Sequence, residues 1–281
     1  MRDVATRYPI HERKRLAVAT AMRALEEISL GFWREEEADV PQDNLHKELL
    51  HLAALREEVL TSAETLLEVD ELIVACKATA DSMLEEALKP MGASGASESG
   101  ASAAVSFATY DVLQALKAGA TPLDARSWTR MSRDWKMLLY SVRCFQDCVY
   151  RAVLCIHRQK PGQGSMSPCM KAEKSDGSKP VRSAMDRHVP GYRDWFVQMR
   201  DLRNELKRGL SVRSDWRAGE HVIILYEPYP DGVFVGGKNL RPLSLDFASQ
   251  CLSMCAAAAI AIRAELQERG APPSTEAPAA V

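Results

Sequence analysis

The chain has 281 residues, of which 46% are hydrophobic and 26% are charged, the composition of an ordinary globular protein. A formal net charge of −2 is not that of a dedicated nucleic-acid binder. Aromatic residues make up only 6%, while Ala and Leu are abundant, so the composition favours helices over a β-sandwich.

The charge is unevenly distributed along the chain. Residues 1–100 carry a marked excess of Asp and Glu, whereas residues 101–170 and 171–281 each carry an excess of Lys and Arg. This asymmetry predicts either an electrostatic match within the chain or a basic surface that is left free for an anionic partner.

The N-terminal residues, the cysteines and the apolar runs bear on where in the cell the protein is located. The first fifteen residues include many charged ones, and no apolar segment typical of a secretory leader follows them. Seven cysteines, an odd number without tight spacing, are typical of a reducing compartment. The longest apolar run, near Met254–Ile262, is too short to span a bilayer. We therefore expect a cytoplasmic location and no membrane partner.

Two helical segments come first in the chain. Residues 11–37 have the period of an amphipathic helix, and residues 44–89 contain neither Gly nor Pro. The second segment repeats an apolar or small residue at every seventh position: Leu45, Leu52, Val59, Leu66, Ile73, Ala80 and Ala87. This spacing predicts coiled-coil-like packing, either in one helix or in two helices hinged near Thr61–Ser62. The packing partner is either the first segment, in a helical hairpin, or a second chain, in a homodimer.

A linker is predicted between two domains. The stretch KPMGASGASESGAS is rich in Gly, Ser and Ala after a Pro, which is typical of a flexible linker and places one at 91–102. It would separate an acidic helical hairpin, 1–90, from a helical bundle, 103–269. The alternative is a long loop inside one domain. The Pro-rich tail 270–281 is expected to be disordered.

Within the bundle, helical periodicity alternates with irregular segments. It predicts helices at 103–118, 124–158, 192–209 and 243–267. Residues 159–189 contain several Pro, Gly and Ser, and predict a long loop. The segments His221–Tyr226 and Val233–Val235, separated by EPYPDG, predict a β-hairpin over 221–237. The predicted fold class is all-α: a helical bundle with a long N-terminal heptad-patterned helical hairpin and a small β-hairpin before the last helix.

The segment Tyr192–Gly209, YRDWFVQMRDLRNELKRG, shows two stripes at helical spacing. The apolar stripe contains Trp195, Met199, Leu202 and Leu206. The polar stripe contains Arg200, Arg203, Asn204 and Lys207. The polar stripe is either a solvated face of ion pairs, or the lining of a cleft in which an Arg fork binds phosphate and an Asn amide binds a base edge.

The residues RDLRNELKRG, in which Asn204 directly follows Arg203, resemble the motif of the HEPN superfamily of nucleotide-binding helical domains. That motif is an Arg, a polar residue and, a few residues later, a His. The resemblance implies a helical bundle, frequent dimerisation and often metal-independent RNA cleavage by the Arg and the His. It implies RNA or nucleotide contacts from this helix, by Arg200, Arg203, Asn204, Lys207 and Arg208.

The chain departs from this motif at the histidine. Arg208 stands at the first position where the motif has its His, and Arg cannot act as a general acid or base because it does not lose its proton near neutral pH. His188 and His221 are the candidates to replace it, and His221 is favoured because the predicted hairpin must fold back on the bundle. Arg203 and His221 are therefore the candidate catalytic residues, and whether the protein is an enzyme is left open.

Two cysteine pairs are spaced as i and i+4: Cys144 with Cys148, and Cys251 with Cys255. Four thiolates on facing helices could hold zinc, but each pair lies on or near an apolar stripe, which is typical of cysteines that pack as small hydrophobic residues. The sequence contains no phosphate loop, nucleophile elbow, HExxH or dinucleotide fingerprint. We expect no metal and no cofactor.

These observations predict a bacterial-type cytoplasmic binding or interaction protein, with a degenerate HEPN-like site that contacts RNA or nucleotide. One alternative is an active metal-independent HEPN-type ribonuclease of the toxin or defence class. The other is a purely structural oligomer built on the heptads of 44–89.

Overall fold

A computed structural model describes residues 4–28, 42–88, 125–159, 166–171, 179–207, 211–217, 220–226 and 243–270. The helices in these ranges are α1 Val4–Arg7, α2 Pro9–Glu26, α3 Gln42–Leu88, α4 Ala125–Ile156, α5 Met166–Lys171, α6 Lys179–His188, α7 Tyr192–Lys207 and α8 Leu245–Gly270. The strands are β1 Ser211–Arg217 and β2 Glu220–Tyr226. The predicted all-α class is confirmed, since helices account for nearly all of the described residues.

Helices α2 and α3 correspond to the two helical segments predicted at the start of the chain. Helix α2 begins at Pro9 and ends at Glu26, and residues 29–37 of the predicted helix lie outside the described residues. Helix α3 is one continuous helix of 47 residues, without a hinge at Thr61–Ser62. The hydroxyl of Ser62 donates to the carbonyl of Glu58 at 2.7 Å, so it is satisfied without interrupting the helix.

The seven-residue spacing of α3 coincides with burial. Five of the heptad positions are at most 3% exposed: Leu45, Leu52, Val59, Leu66 and Ile73. Within the chain, Nη2 of Arg15 on α2 donates to Oε2 of Glu71 on α3 at 3.2 Å. Heptad packing in a helical hairpin stays a prediction. Coiled-coil packing against a second chain stays a prediction.

The chain forms two compact units, each discontinuous in sequence. In its described residues, the first unit contains α1, α2 up to Leu16, α3 from Glu64, α4 up to Trp135 and both strands. The second contains the rest of α2, α3 and α4, together with α5, α6, α7 and α8. The predicted linker 91–102 and helix 103–118 lie outside the described residues. The predicted domain limits therefore stay predictions.

In the first unit, polar side chains hold the start of α2 against the second half of α3. The Nε2 atom of His11 lies 2.8 Å from Oδ2 of Asp70, and both side chains are buried. The hydroxyl of Tyr8 donates to Asp81 at 2.5 Å. The strands of this unit pair antiparallel, with Ser211 opposite Tyr226 and Arg217 opposite Glu220.

In the second unit, helices α4, α7 and α8 supply most of the apolar core. The fully buried residues of α4 include Leu138, Leu139, Val142, Phe145, Val149 and Val153. Burying each such side chain contributes roughly 1.5–3 kcal/mol. Helix α8 is rich in Ala, which favours the helix and allows neighbouring backbones to approach closely. Helix α6 packs on α8 through its buried residues Val181, Ala184 and Met185.

The predicted loop over 159–189 is wrong in part, because it contains helices α5 and α6. Pro180 is the second residue of α6, where a missing N–H breaks no helical hydrogen bond. Gly191 then turns the chain into α7 with φ of +76°, a conformation that glycine adopts without strain. A proline inside the predicted loop therefore lies in the first turn of a helix.

The predicted β-hairpin over 221–237 is not confirmed. The strand predicted at His221–Tyr226 corresponds to β2, but its partner is β1, which precedes it in the chain. The second predicted strand, Val233–Val235, lies outside the described residues, as does the predicted tail from residue 271 onwards.

Helix α8 is longer than the apolar run from which the sequence excluded a membrane span. By length and composition alone, Leu245–Arg269 is apolar enough to cross a bilayer, although the run near 254–262 suggested a segment that was too short. Of its most apolar window, 61% is buried inside the protein, and a buried core helix has the same composition.

Candidate functional site

Helix α7 presents the predicted apolar stripe to the core of the second unit. Trp195, Met199 and Leu202 are buried, as is Phe196 beside them. The side chain of Leu206 lies outside the described residues. Because these residues fix the rotation of the helix, the arginines beside the stripe lie at the border between the core and the surface.

Arg143 of α4 is packed against this helix. Its guanidinium carbon lies 5.1 Å from the centroid of the Phe196 ring, and its Nη1 lies 2.6 Å from Oδ1 of Asp147. Burial lowers the pKa of Arg143, the Asp147 carboxylate opposes this, and the charge of Arg203 adds to the lowering. Two guanidinium groups, from Arg143 and Arg203, thus act on each other, and Asp147 is the carboxylate that pairs with Arg143.

Arg203 is half-buried and incompletely satisfied. Its Nη1 donates to Oδ1 of Asn204 at a long 3.5 Å. Its Nε is enclosed and has no hydrogen-bond partner among the described residues. A buried donor without an acceptor costs on the order of 1–3 kcal/mol, and more when the group is charged. An anion that reached this nitrogen would remove that cost.

Arg200, one turn earlier, is partly neutralised. Its Nε and Nη2 donate to Oδ1 of Asp201 at 2.9 and 2.7 Å, while its Nη1 is buried without a hydrogen-bond partner among the described residues. We call Arg143, Arg200 and Arg203 the arginine cluster. Asn204 is exposed next to it. The side chain of Lys207 and the whole of Arg208 lie outside the described residues.

An exposed aromatic ring lies near the arginine cluster. Tyr140 of α4 is 52% exposed. The neighbouring Cys144 raises the pKa of Tyr140, and the charge of Arg203 acts in the opposite direction. The structure therefore brings a phenol ring into the electrostatic range of Arg203, which the sequence did not predict.

Of the two predicted histidine substitutes, only His188 has a described side chain, and it bonds to an acid of α8. His188 ends α6, and its Nε2 lies 3.2 Å from Oε1 of Glu265. Among the described residues, no imidazole forms a hydrogen bond with Arg203. The side chain of His221, on β2, lies outside the described residues, so its role stays a prediction.

Three of the four paired cysteines, Cys148, Cys251 and Cys255, are buried in the core. Burial raises the pKa of Cys148 and of Cys251 to about 12, and it raises that of Cys255 as well. The Cys148 thiol donates to the carbonyl of Glu48 at 3.0 Å. Such thiols stay protonated at neutral pH, where a zinc ligand would be a thiolate.

A second polar cluster lies where α4 and α6 end beside α8. Glu265 of α8 is 3% exposed, and its oxygens lie 3.0 Å from Nε2 of His157 and 3.2 Å from Nε2 of His188. The sequence carried one signal of this cluster: Glu265 falls on the helical stripe of Ala258 and Ile262, which are both buried. A single acid on an apolar stripe indicates a paired carboxylate.

Comparison of the chain with protein-family models, with curated proteins and with solved structures gives no match. The likeness to the HEPN superfamily therefore depends on the residues RDLRNELKRG alone and stays a prediction.

Proposed function

We propose that this protein binds a phosphate-bearing ligand, RNA or a nucleotide, at the arginine cluster. The observation that carries the proposal is the enclosed Nε of Arg203, which has no acceptor among the described residues. A phosphate oxygen is a strong acceptor for such a donor, and the planar guanidinium fork matches its geometry.

The charge balance of the site supports an anionic ligand. The cluster contributes three positive charges, while the carboxylates that contact it, among the side chains that the structure describes, are those of Asp147 and Asp201. Asp147 also accepts the backbone N–H of Met166 at 2.8 Å, so its charge is shared. An excess of positive charge over a partly enclosed surface attracts phosphate.

Tyr140 favours a ligand that carries a base. An exposed aromatic ring next to an arginine is the arrangement on which unpaired bases stack. Asn204, exposed on the next position of α7, offers an amide that can bind a base edge. Binding to single-stranded RNA or to a nucleotide fits these groups better than binding to inorganic phosphate alone.

Binding rather than cleavage is the function that these residues support. Metal-independent cleavage needs a group that exchanges a proton near neutral pH, and none of the three arginines can do so. His188 is engaged by Glu265. If His221 supplied the missing group, the protein would cleave single-stranded RNA in the presence of EDTA, and the products would appear on a denaturing gel.

Binding is tested by titrating the full chain into fluorescein-labelled single-stranded RNA, and separately into a fluorescent ATP analogue, with anisotropy as the readout. Arg203→Ala should weaken binding at least tenfold. Arg193→Ala is the matched control, because Arg193 is an exposed arginine of the same helix, and it should bind like wild type. Equal affinity of wild type and Arg203→Ala for both probes would remove the proposal.

A further inference from the structure

The cluster around Glu265 contains groups that the proposed function does not use. Glu265 and Glu268 lie one turn apart on α8, and His188 is the last residue of α6, which packs on α8. Nε2 of His188 lies 3.2 Å from Oε1 of Glu265 and 3.7 Å from Oε1 of Glu268. One ligand atom from each of the three residues lies within 4.8 Å of the others.

The two distances from His188 are close to those between the ligands of a tetrahedral zinc ion, and the ligand atoms of the two carboxylates lie within 4.8 Å of each other. Zinc binds imidazole nitrogen and carboxylate oxygen at about 2.0–2.2 Å, which places neighbouring ligand atoms about 3.3 Å apart. The contacts at 3.2 and 3.7 Å need shifts of only a few tenths of an ångström. We propose that His188, Glu265 and Glu268 bind one zinc ion, with the fourth position open to water.

His157 orients the central ligand and is not itself a ligand. Arg269 Nη2 lies 2.7 Å from Nδ1 of His157. Arginine has only donors, so Nδ1 must accept and the imidazole proton lies on Nε2. That N–H donates to Oε2 of Glu265 at 3.0 Å, which leaves Oε1 facing His188. A ligating carboxylate that is held by an outer hydrogen bond is the usual arrangement of protein metal sites.

Arg187 occupies the position of the positive charge that zinc would supply. Its Nη1 is bonded to Oε2 of Glu268 and lies 3.5 Å from Oε1 of Glu265. The Arg187 side chain is 50% exposed, so it can turn into water when an ion enters. It follows that Arg187 competes with the metal and that its removal strengthens metal binding.

Exposure gives the ion a route into the site. Glu265 is 3% exposed, whereas Glu268 is 48% exposed and lies at the outer edge of the three ligands. A site that is closed by a buried carboxylate on one side and open on the other can exchange its fourth ligand, as zinc sites with three protein ligands do.

The test uses the EDTA-treated full chain and cobalt(II) as a spectroscopic substitute for zinc, with zinc titrated by calorimetry. We expect one equivalent of metal, and visible cobalt bands without the near-ultraviolet band that thiolate ligands produce. His188→Gln and Glu268→Gln should each weaken zinc binding at least tenfold. Asp186→Asn, an exposed acid of α6, is the control and should bind like wild type. Arg187→Ala should bind zinc several-fold more tightly.

Three results would overturn the zinc site: no binding at millimolar zinc, cobalt spectra with thiolate bands, or equal affinity of wild type and both ligand variants. Glu268 is half-exposed, so Glu268→Gln leaves the core intact and its result is interpretable even if His188→Gln unfolds. The measurement contains no RNA or nucleotide, so its outcome is independent of the function proposed for the arginine cluster.

Discussion

The guanidinium of Arg143 lies over the ring of Phe196, with 5.1 Å between the guanidinium carbon and the ring centroid. A charge of α4 is thereby held on the aromatic face of α7, where the cation–π attraction and the ion pair with Asp147 stabilise it. The same contact places Arg143 within the electrostatic range of Arg203. Arg143 therefore contributes both to the stability of the second unit and to the proposed phosphate site.

Replacing Arg143 should destabilise the protein. Arg143→Met removes the cation–π contact and leaves Asp147 without its buried partner. Asp147 is 26% exposed and keeps the N–H of Met166, so we expect a loss of about 1–3 kcal/mol, less than for a fully buried pair. Urea denaturation gives the free energy of unfolding. Arg193→Met serves as the control, and an equal loss in both variants would contradict the assigned contact.

Phe196 should couple energetically to Arg143. Phe196→Ala removes a fully buried ring and should cost about 3–5 kcal/mol. Phe196→Leu keeps most of the apolar volume and loses only the aromatic face. In a double-mutant cycle of Phe196→Leu with Arg143→Met, the coupling energy between the two residues should be about 0.5–2 kcal/mol. Strict additivity of the two changes would show that the guanidinium does not depend on the ring.

Glu48 should contribute to stability more than an exposed acid of α3. Its Oε2 accepts from Nε of Arg151 at 2.7 Å and lies 3.5 Å from the Cys148 thiol. Glu48→Ala leaves Arg151 unpaired, but Arg151 is 27% exposed, so we expect a loss of about 1–2 kcal/mol. The matched control is Glu64→Ala, on the exposed side of α3, which should change the free energy of unfolding by less than about 0.5 kcal/mol.

Alkaline pH should destabilise the protein through its buried thiols. Burial raises the pKa of Cys251 to about 12, whereas a thiol of the unfolded chain titrates near about 8.5. The stabilisation is therefore full below about pH 8.5 and is lost as pH rises toward the folded pKa. When the pH is raised from about 7.5 to 9.5, the free energy of unfolding from urea denaturation should fall by about 1 kcal/mol less in Cys251→Ala than in wild type. An identical fall in the free energy of unfolding in both proteins would show that burial does not raise the pKa of the Cys251 thiol.

The long periodic helices were predictable from the sequence, because a repeating apolar stripe determines which face is buried. The stripe of Trp195, Met199 and Leu202 is buried in α7 as its spacing indicated. Helix α4 likewise occupies nearly its predicted range. In both helices, local propensity and burial favour the same structure.

The remaining features depend on contacts between residues far apart in the chain. Pro180 lies in a segment that composition predicts to be a loop, yet it is the second residue of α6, which packs on α8. Strand β2 pairs with β1, and the alternation of residues along a strand does not by itself say which neighbouring segment it pairs with. Glu265 and His157 are 108 positions apart, so no local pattern joins them.

The salt dependence of RNA binding tests the account most directly, because it counts the phosphates that the protein contacts. The logarithm of the association constant, plotted against the logarithm of the salt concentration, should have a slope that is about one unit shallower in Arg203→Ala than in wild type. Arg193→Ala should keep the wild-type slope. A slope and an affinity that Arg203→Ala leaves unchanged would contradict a phosphate contact at the arginine cluster.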